Sequence, residues 1–487
     1  MASNQTSQPV ELLLSVTRGG RMRLGAQIED QLRCAIRKGA AKPGTRIPST
    51  RDLARQIGVS RHVVVEAYAQ LATEGYLSLR QGAPPRVSDA LSVTGETHGS
   101  RPSSPPAPRF DFRPSMPDVS AFPRTAWLRA MREAITTIPD ADLQYGDPAG
   151  VEALQSSLSS YLGRVRGVVA DPARVVVTSG YTQSLALVCR ALAARGSSRV
   201  AFEDPTDTEY PQIASRAGLE PVSVPVDDDG LQVDRLARTG AEAVVVTPAH
   251  QHPTGAVLSG ERRAALLRWL REHDAVAIED DYDAEYRYDR GAIGSLQGLE
   301  PDRVVYAGSA SKTLAPALRL GWLVLPPRLL ESVRQEKMRA DHGSARIQQR
   351  ALASFLERGD LDRHLRRMRA RYRTRRDLLV DELARAIPGA TVRGIAAGLH
   401  LTVELPAHYD EPTLLAEAAA RRVAFNTMRD YRTDADPSPP LLMLGYGQIS
   451  ESSIHAGVRE IAEAINAATS PRTGGARPGA TTGGGAR

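Results

Sequence analysis

Lys312 lies in the run Ser309-Ala-Ser-Lys-Thr-Leu-Ala-Pro-Ala-Leu-Arg-Leu-Gly-Trp322, among small hydroxyl residues and seven positions ahead of Arg319. A lysine amine condenses with an aldehyde to a Schiff base, and a hydroxyl and a guanidinium beside it can fix a phosphate. Together those groups suit pyridoxal phosphate, an aldehyde that carries a phosphate. Four further segments have chemistry for the same cofactor. Glu279-Asp-Asp-Tyr-Asp283 follows the apolar run Ala275–Ile278, and a carboxylate at the carboxyl end of a strand can keep a pyridine nitrogen protonated. Thr178-Ser-Gly-Tyr-Thr182 follows Arg174–Val177 and opens a helical pattern, so its backbone N–H groups and hydroxyls suit a phosphate. Thr247-Pro-Ala-His-Gln-His-Pro-Thr-Gly255 follows another such run. Tyr145-Gly-Asp-Pro-Ala-Gly150 is a turn whose aromatic hydroxyl can also reach a phosphate.

The elements that must position these groups follow from periodicity. Arg174–Thr178, Arg199–Phe202, Ala243–Val246, Ala275–Ile278 and Val304–Tyr306 are short Val-rich runs separated by amphipathic segments. That alternation predicts an α/β fold with a mostly parallel sheet. The 487 residues allow a large core plus one small module. Composition divides the chain into a small domain at 20–89, a Pro/Ser-rich linker at 90–110, the α/β domain at 111–468 and a Gly-rich tail at 469–487, expected to be disordered. The formal net charge of +6 and pI near 9.4 permit nucleic-acid binding without requiring it. Cys34 and Cys189 stand far apart without a Cys/His cluster, so neither a disulfide framework nor a metal site is expected. The chain has no apolar run of membrane-spanning length, and its polar start lacks the regions of a signal peptide. The expected compartment is the cytoplasm.

The small domain reads as three helices and a hairpin. Leu24, Ile28, Leu32 and Ile36 repeat at helical spacing, with Gly39 and Pro43-Gly44 as stops. Ser49 caps a second helix, Gly58 closes it, and Ser60 caps a third. A short helix, a tight glycine turn and a second capped helix make a helix-turn-helix, whose later helix enters the major groove of DNA. Arg61 and His62 then reach base edges from its start, while Arg46, Ser49, Thr50 and Arg51 meet phosphates. Arg80 and Arg86 flank the hairpin tip and offer further phosphate contacts. The Arg-rich stretch 363–376 keeps Leu365, Met368 and Tyr372 on one face, so it reads as a solvated helix packed on one side.

Lys42-Pro-Gly-Thr-Arg-Ile-Pro-Ser-Thr-Arg-Asp-Leu-Ala, Gly58-Val-Ser-Arg and Glu74-Gly-Tyr-Leu resemble the winged helix of the GntR family. Gln81-Gly-Ala-Pro-Pro-Arg86 departs from the Gly-rich wing tip usual there. Residues 111–468 resemble the fold type I aminotransferases, and the whole chain resembles the MocR/GabR class of transcriptional regulators. The match is carried by the His-Gln-His-Pro-Thr-Gly, Glu-Asp-Asp-Tyr-Asp-Ala-Glu-Tyr-Arg-Tyr288 and Ser-Lys-Thr-Leu-Ala-Pro-Ala-Leu-Arg-Leu-Gly segments, with Ala397-Gly-Leu-His400 and Leu442-Met-Leu-Gly-Tyr446. The resemblance implies that Lys312 forms the Schiff base, Asp280 pairs with the ring nitrogen and Tyr282 bonds the ring hydroxyl. It implies phosphate contacts from Tyr181, Thr182, Ser309 and Arg319, with Tyr145 supplied by a neighbouring subunit of a homodimer.

Two departures bear on function. His252 stands where aminotransferases carry the Asn of Asn-Pro-Thr-Gly, a position the regulators commonly fill with a bulky residue. Asp207 stands where an aromatic residue stacks on the cofactor, and Tyr210 is the candidate substitute. Arg429, with Arg432 in reserve, is the candidate for an effector carboxylate. The expected function is DNA-binding regulation, with the aminotransferase-like domain sensing the cofactor or a small amine or amino acid. A working aminotransferase with an appended DNA-binding head is the alternative, and the departures favour at most partial transamination.

Overall fold

A computed structural model of the chain describes residues 14–90, except 21, and 107–468, except 115, 289–292, 406–408 and 433–440. The chain divides into two compact units, Met1–Pro106 and Ala107–Arg487. The first has helices α1 (Leu24–Arg37), α2 (Thr50–Ile57) and α3 (Arg61–Thr73), then a hairpin of β1 (Leu77–Ser78) and β2 (Arg86–Val87). Ile28, Leu32 and Ile36 of α1 meet Leu53, Val64, Tyr68 and Leu71 in one core. The caps sit where the sequence puts them. Ser49 Oγ accepts from Asp52 N at 3.2 Å, Ser60 Oγ accepts from Val63 N at 3.5 Å, and Gly58 closes α2 at φ +68°.

The second unit is built on an eight-stranded sheet. In spatial order its strands are Val175–Thr178, Gly321–Val324, Val304–Ser309, Val276–Asp281, Ala243–Val246, Arg199–Asp204, Glu220–Asp227 and Gly230–Leu231. The five from Val304–Ser309 to Glu220–Asp227 run parallel, whereas Gly321–Val324 is antiparallel to both neighbours. Each of the five expected strands is present, three of them extended past the expected end by two or three residues. A smaller antiparallel sheet, ordered Thr391–Arg393, His400–Glu404, Leu441–Gly445 and Asn426–Thr427, lies later in the chain. The helix Asp360–Ala386 buries Leu365, Met368 and Tyr372, and Arg375 on the same face pairs with buried Asp118 at 2.8 Å.

Most of the linker, residues 91–106, and the tail from 469 lie outside the described residues. The end of the expected linker is already docked on the second unit. Arg109 and Phe110 donate their N–H groups to Arg422 O, and Phe110–Asp111 pairs in parallel with Val423–Ala424. Burial of Phe110 and Phe112 drives this docking, and the ring of Phe112 fills the space left by the missing side chain of Gly457.

Gly308 is another glycine that the packing requires, since a Cβ there would stand 2.4 Å from the Trp322 indole on the next strand. Gly308→Ala is expected to destabilise the second unit by about 1–3 kcal/mol through overpacking. Calorimetry should show its melting transition lowered while the transition of the winged helix stays in place.

Candidate functional site

The carboxyl ends of the parallel strands deliver the chemistry to one place. Asp280 is the penultimate residue of the strand Val276–Asp281 with Tyr282 just beyond it, Glu203 lies near the end of Arg199–Asp204, and Thr247 follows Ala243–Val246. Ser309 ends the neighbouring strand, and the turn after it carries Ser311 and Lys312. These residues, with Tyr181, Thr182, Asp207, Tyr210, His252 and Arg319, line a cavity of about 230 Å³. Strand ends gather here because a sheet of parallel strands points all its C-termini to one edge.

On one side the cavity is built to receive an anion. The helix Tyr181–Ala194 begins at Gly180, which holds φ +117° and lets the Arg319 guanidinium approach. A Cβ at Gly180 would lie 3.2 Å from Arg319 Nη2. Arg319 itself takes the left-handed conformation at φ +49°. Thr182, Ser309 and Ser311 add hydroxyls around the same helix start, whose free N–H groups favour negative charge. Behind it, Gln183 Oε1 accepts from Ser179 N at 2.8 Å and from the buried Lys337 Nζ at 3.0 Å, fixing the turn.

The carboxylates of Glu203 and Asp280, which line the cavity, are buried. Burial pushes the Asp280 carboxyl well above the ordinary range, an effect increased by Asp281 and Asp283 and opposed by Lys312. Lys312 is the cationic group that opposes this rise, and it lines the same cavity. Burial likewise lowers the Lys312 amine, against the attraction of Asp280, Asp283 and Asp207, and a lowered amine is a better nucleophile toward an aldehyde. Glu203 is raised to about 7 by burial, although Thr247 donates to it through N at 3.1 Å and Oγ1 at 2.5 Å. Burial lowers His252 to about 3, with a further contribution from Lys312, so its imidazole is neutral at ordinary pH.

Tyr282 is held from behind. His250 Nδ1 lies 3.0 Å from both Tyr282 Oη and Asp283 Oδ2. A Cβ at Gly398 would come within 2.4 Å of Asp283 Oδ2 and His250 Cε1, so only glycine lets that loop close over the pair. The Gly398 carbonyl accepts from Tyr288 Oη at 2.6 Å and Tyr446 Oη at 2.8 Å. His252 packs edge-on against Tyr431, with ring centroids 5.1 Å apart, and against Tyr282 at 5.7 Å.

Of the residues expected at the cofactor, the cavity gathers Tyr181, Thr182, His252, Asp280, Tyr282, Ser309, Lys312 and Arg319. Tyr145 is outside it and 92% exposed, its ring 5.9 Å from His342. Arg429 does not reach the cavity. Its side chain is 73% exposed and lies 3.9 Å from Glu411, because the turn Met428–Tyr431 buries Met428 and Tyr431 and leaves the guanidinium outside. Arg432 lines a separate cavity with Arg393 and Glu404. Tyr210 reaches the cofactor cavity and meets Tyr181 edge-to-face at 5.0 Å. Asp207 stays at the cavity edge, where its Oδ1 accepts from Glu209 N at the start of a helix. Glu203, Thr247, His250, Asp283 and Ser311 were not assigned to the site from sequence, although all but Glu203 lie in segments singled out for their chemistry.

In the winged helix, Arg51, Ser60, Arg61, His62 and Arg80 are exposed, with Thr50 partly so. His62 Nε2 lies 3.2 Å from Glu66 Oε1 one turn on. Ser49 spends its hydroxyl on the cap, donating to Asp52 Oδ2 at 2.6 Å. Arg46 differs from the expectation of an open phosphate contact. It is half-buried with Nε sealed from solvent, because it bridges Arg86 at the base of the wing. Arg86 in turn donates to Gly44 O at 2.7 Å.

Comparison with known proteins agrees with this division. Residues 117–432 match the aminotransferase class I and II family, and residues 24–87 match the gntR family of bacterial regulatory proteins. The chain belongs to the GntR-type regulators that carry an aminotransferase body. It is 32% identical to the HTH-type pyridoxine biosynthesis transcriptional regulator PdxR of Corynebacterium glutamicum, over 90% of this chain and 95% of that one. It is 30% identical to the probable rhizopine catabolism regulatory protein MocR of Rhizobium meliloti, over 93% and 96%. Among solved structures, kynurenine aminotransferase of Pyrococcus horikoshii superposes with a TM-score of 0.67 at 26% identity, over 73% of this chain and 90% of that one. Pyridoxal phosphate is the cofactor of this fold. The cavity fits it, with a lysine, a buried carboxylate, an anion-receiving helix start, and Tyr181 Oη and His252 Nδ1 buried without protein partners.

Lys312→Ala is expected to abolish borohydride-trapped cofactor and visible absorbance in protein mixed with pyridoxal phosphate, while circular dichroism stays unchanged. A second expectation concerns Glu203. A carboxyl raised on folding binds its proton more tightly in the native state, so its contribution is present below about 4.5 and is lost as pH rises to about 7. Glu203→Gln should flatten the fall in stability across that window in denaturant titrations, although Glu279, also raised to about 7, leaves a residual slope.

Proposed function

We propose that this protein is a cytoplasmic, homodimeric transcription factor that binds pyridoxal phosphate and reads it, or a small amine, as a signal for DNA binding. The observation that carries this reading is the presence on one chain of a capped helix-turn-helix and a cavity centred on Lys312. When bound, the cofactor supplies an aldehyde able to exchange a lysine amine for the amine of a ligand. The chain's own groups do the rest. Arg319, Thr182 and Ser309 hold the phosphate end, Asp280 keeps a proton on the ring nitrogen, and Tyr282, backed by His250, bonds the ring hydroxyl. Tyr210 forms a wall of the ring site in place of the residue that Asp207 displaces. Tyr145, so exposed on its own subunit, completes the partner's phosphate site.

The fold alone also suits an aminotransferase, and Lys312, Asp280 and Arg319 favour half-reactions with amines. His252 weighs against efficient turnover. It fills the cavity wall with a neutral ring where the enzymes offer an amide, and its neighbours Tyr431 and Tyr282 leave it little room to move. Steady-state turnover with amino donors and keto acids decides between the two: sustained turnover at enzyme-like rates overturns the sensing role.

DNA reading is tested with a duplex selected by the protein from a random library. Arg61→Ala is expected to cost about 1–3 kcal/mol on the selected duplex and much less on random DNA, as loss of a base contact does. Arg51→Ala should weaken both about equally and flatten the salt dependence. Equal specificity ratios for the two variants would refute this division of labour.

A further inference from the structure

The segment ahead of α1 is tied to the helix-turn-helix although it precedes the region matched to the gntR family. Two glutamines of α1 clamp it. Gln31 accepts from Ser15 N at 3.0 Å and donates to Ser15 O at 2.6 Å, and Gln27 does the same for Thr17 at 2.9 and 3.0 Å. Each side-chain amide copies the pairing of a neighbouring strand, at alternate residues of the arm. The clamp delivers Arg18, whose Nη2 donates at 2.5 Å to Gly58 O in the turn between α2 and α3. That carbonyl is two residues before Ser60, the cap of the recognition helix. A second contact has the same sense: Gly25, in the first turn of α1, approaches Val63 in the first turn of α3.

The arm is cationic, although Glu29 of α1 and Glu66 of α3 stand one turn in from the helix starts. Residues 14–23 hold Arg18, Arg21 and Arg23 with no Asp or Glu. The first turns of α1 and α3 are likewise free of acidic residues, so two helix N-termini add positive potential beside the arginines. Arg18 and Arg23 are exposed. A guanidinium has five N–H donors, so anchoring one to Gly58 leaves the fork able to take a phosphate oxygen.

We infer that the described part of the arm, residues 14–20, 22 and 23, belongs to the DNA-binding surface, with Arg18 and Arg23 gripping backbone phosphates of duplex DNA beside the groove entered by α3. The inference rests on the DNA-binding reading above. Phosphate contacts carry no sequence information, so a random-sequence duplex serves as probe.

The test measures binding of the full chain to that duplex by fluorescence anisotropy across a series of KCl concentrations, for wild type, Arg18→Gln/Arg23→Gln and Arg18→Lys/Arg23→Lys. Each phosphate contact contributes about 0.9 to the slope of log affinity against log salt, so each one lost weakens binding about eightfold at 0.1 M relative to 1 M. The glutamine pair is expected to lose slope and affinity by that measure, and the lysine pair to retain most of both. A glutamine pair with the slope of wild type overturns the inference. So does an affinity loss that lysine does not restore, or that comes with a lowered melting temperature in both pairs, because Arg18 would then serve only to cap α2. If wild type itself shows no salt-dependent binding, it is the DNA-binding reading that fails.

Discussion

Desolvated carboxylates at the carboxyl edge of the sheet set the terms for the rest of the site. Glu203, Asp280, Asp281 and Asp283 all lie at or just beyond strand ends and all are buried. A buried anion without compensation costs far more than a surface one, so each must be neutralised, paired or protonated. The protein compensates three of them from within. Asp281 accepts from Arg166 Nε at 2.6 Å and Tyr306 Oη at 2.7 Å. Asp283 has His250, and Glu203 has Thr247 together with a raised affinity for its own proton. Asp280 is left facing the cavity and Lys312. The arrangement concentrates one electrostatic demand at the cavity, beside the Lys312 amine.

This demand explains why the segments come from such separate parts of the chain. Arg166 ends a helix far ahead of Asp281 in sequence, and its burial is tolerable only because the strand Val276–Asp281 ends in a carboxylate. The loop around Gly398 belongs to the later part of the chain, yet it closes over His250 and Asp283 and is locked by Tyr288 and Tyr446. Removing a single partner from such a network leaves a buried charge behind, which is why these groups must act together.

The parts of this protein legible in sequence are those whose physics is local. Ser49, Gly58 and Ser60 announce helix ends because a cap needs its residue within three positions of its partner. The strands are legible because β-branched runs bounded by turns have few other uses. Lys312, Ser309 and Arg319 share one segment, so their chemistry shows without a fold. The pairings that tune the site are not local: Thr247 reaches Glu203 across 44 residues, and His250 reaches Asp283 across 33. Arg429 failed for the converse reason. Its type suited a carboxylate, but burial of its neighbours Met428 and Tyr431 decides which way the turn faces, and nothing local reveals that.

The same contrast bears on how the site departs from its enzymatic relatives. Replacing an amide by His252 removes a small, strongly polar group and installs a ring whose proton affinity is suppressed by burial and by Lys312. A neutral imidazole wedged against Tyr431 and Tyr282 is a fixed wall. Asp207 accepts from Glu209 N at the start of a helix, and Tyr210, three residues on, meets Tyr181 edge-to-face in the same cavity. Both differences leave Lys312, Asp280 and Arg319 together in the cavity and change its other walls. On the sensing role proposed above, fixed walls would suit a site that responds to its ligand without turning it over, since a ligand shifts an equilibrium only by the difference in its affinity for two states.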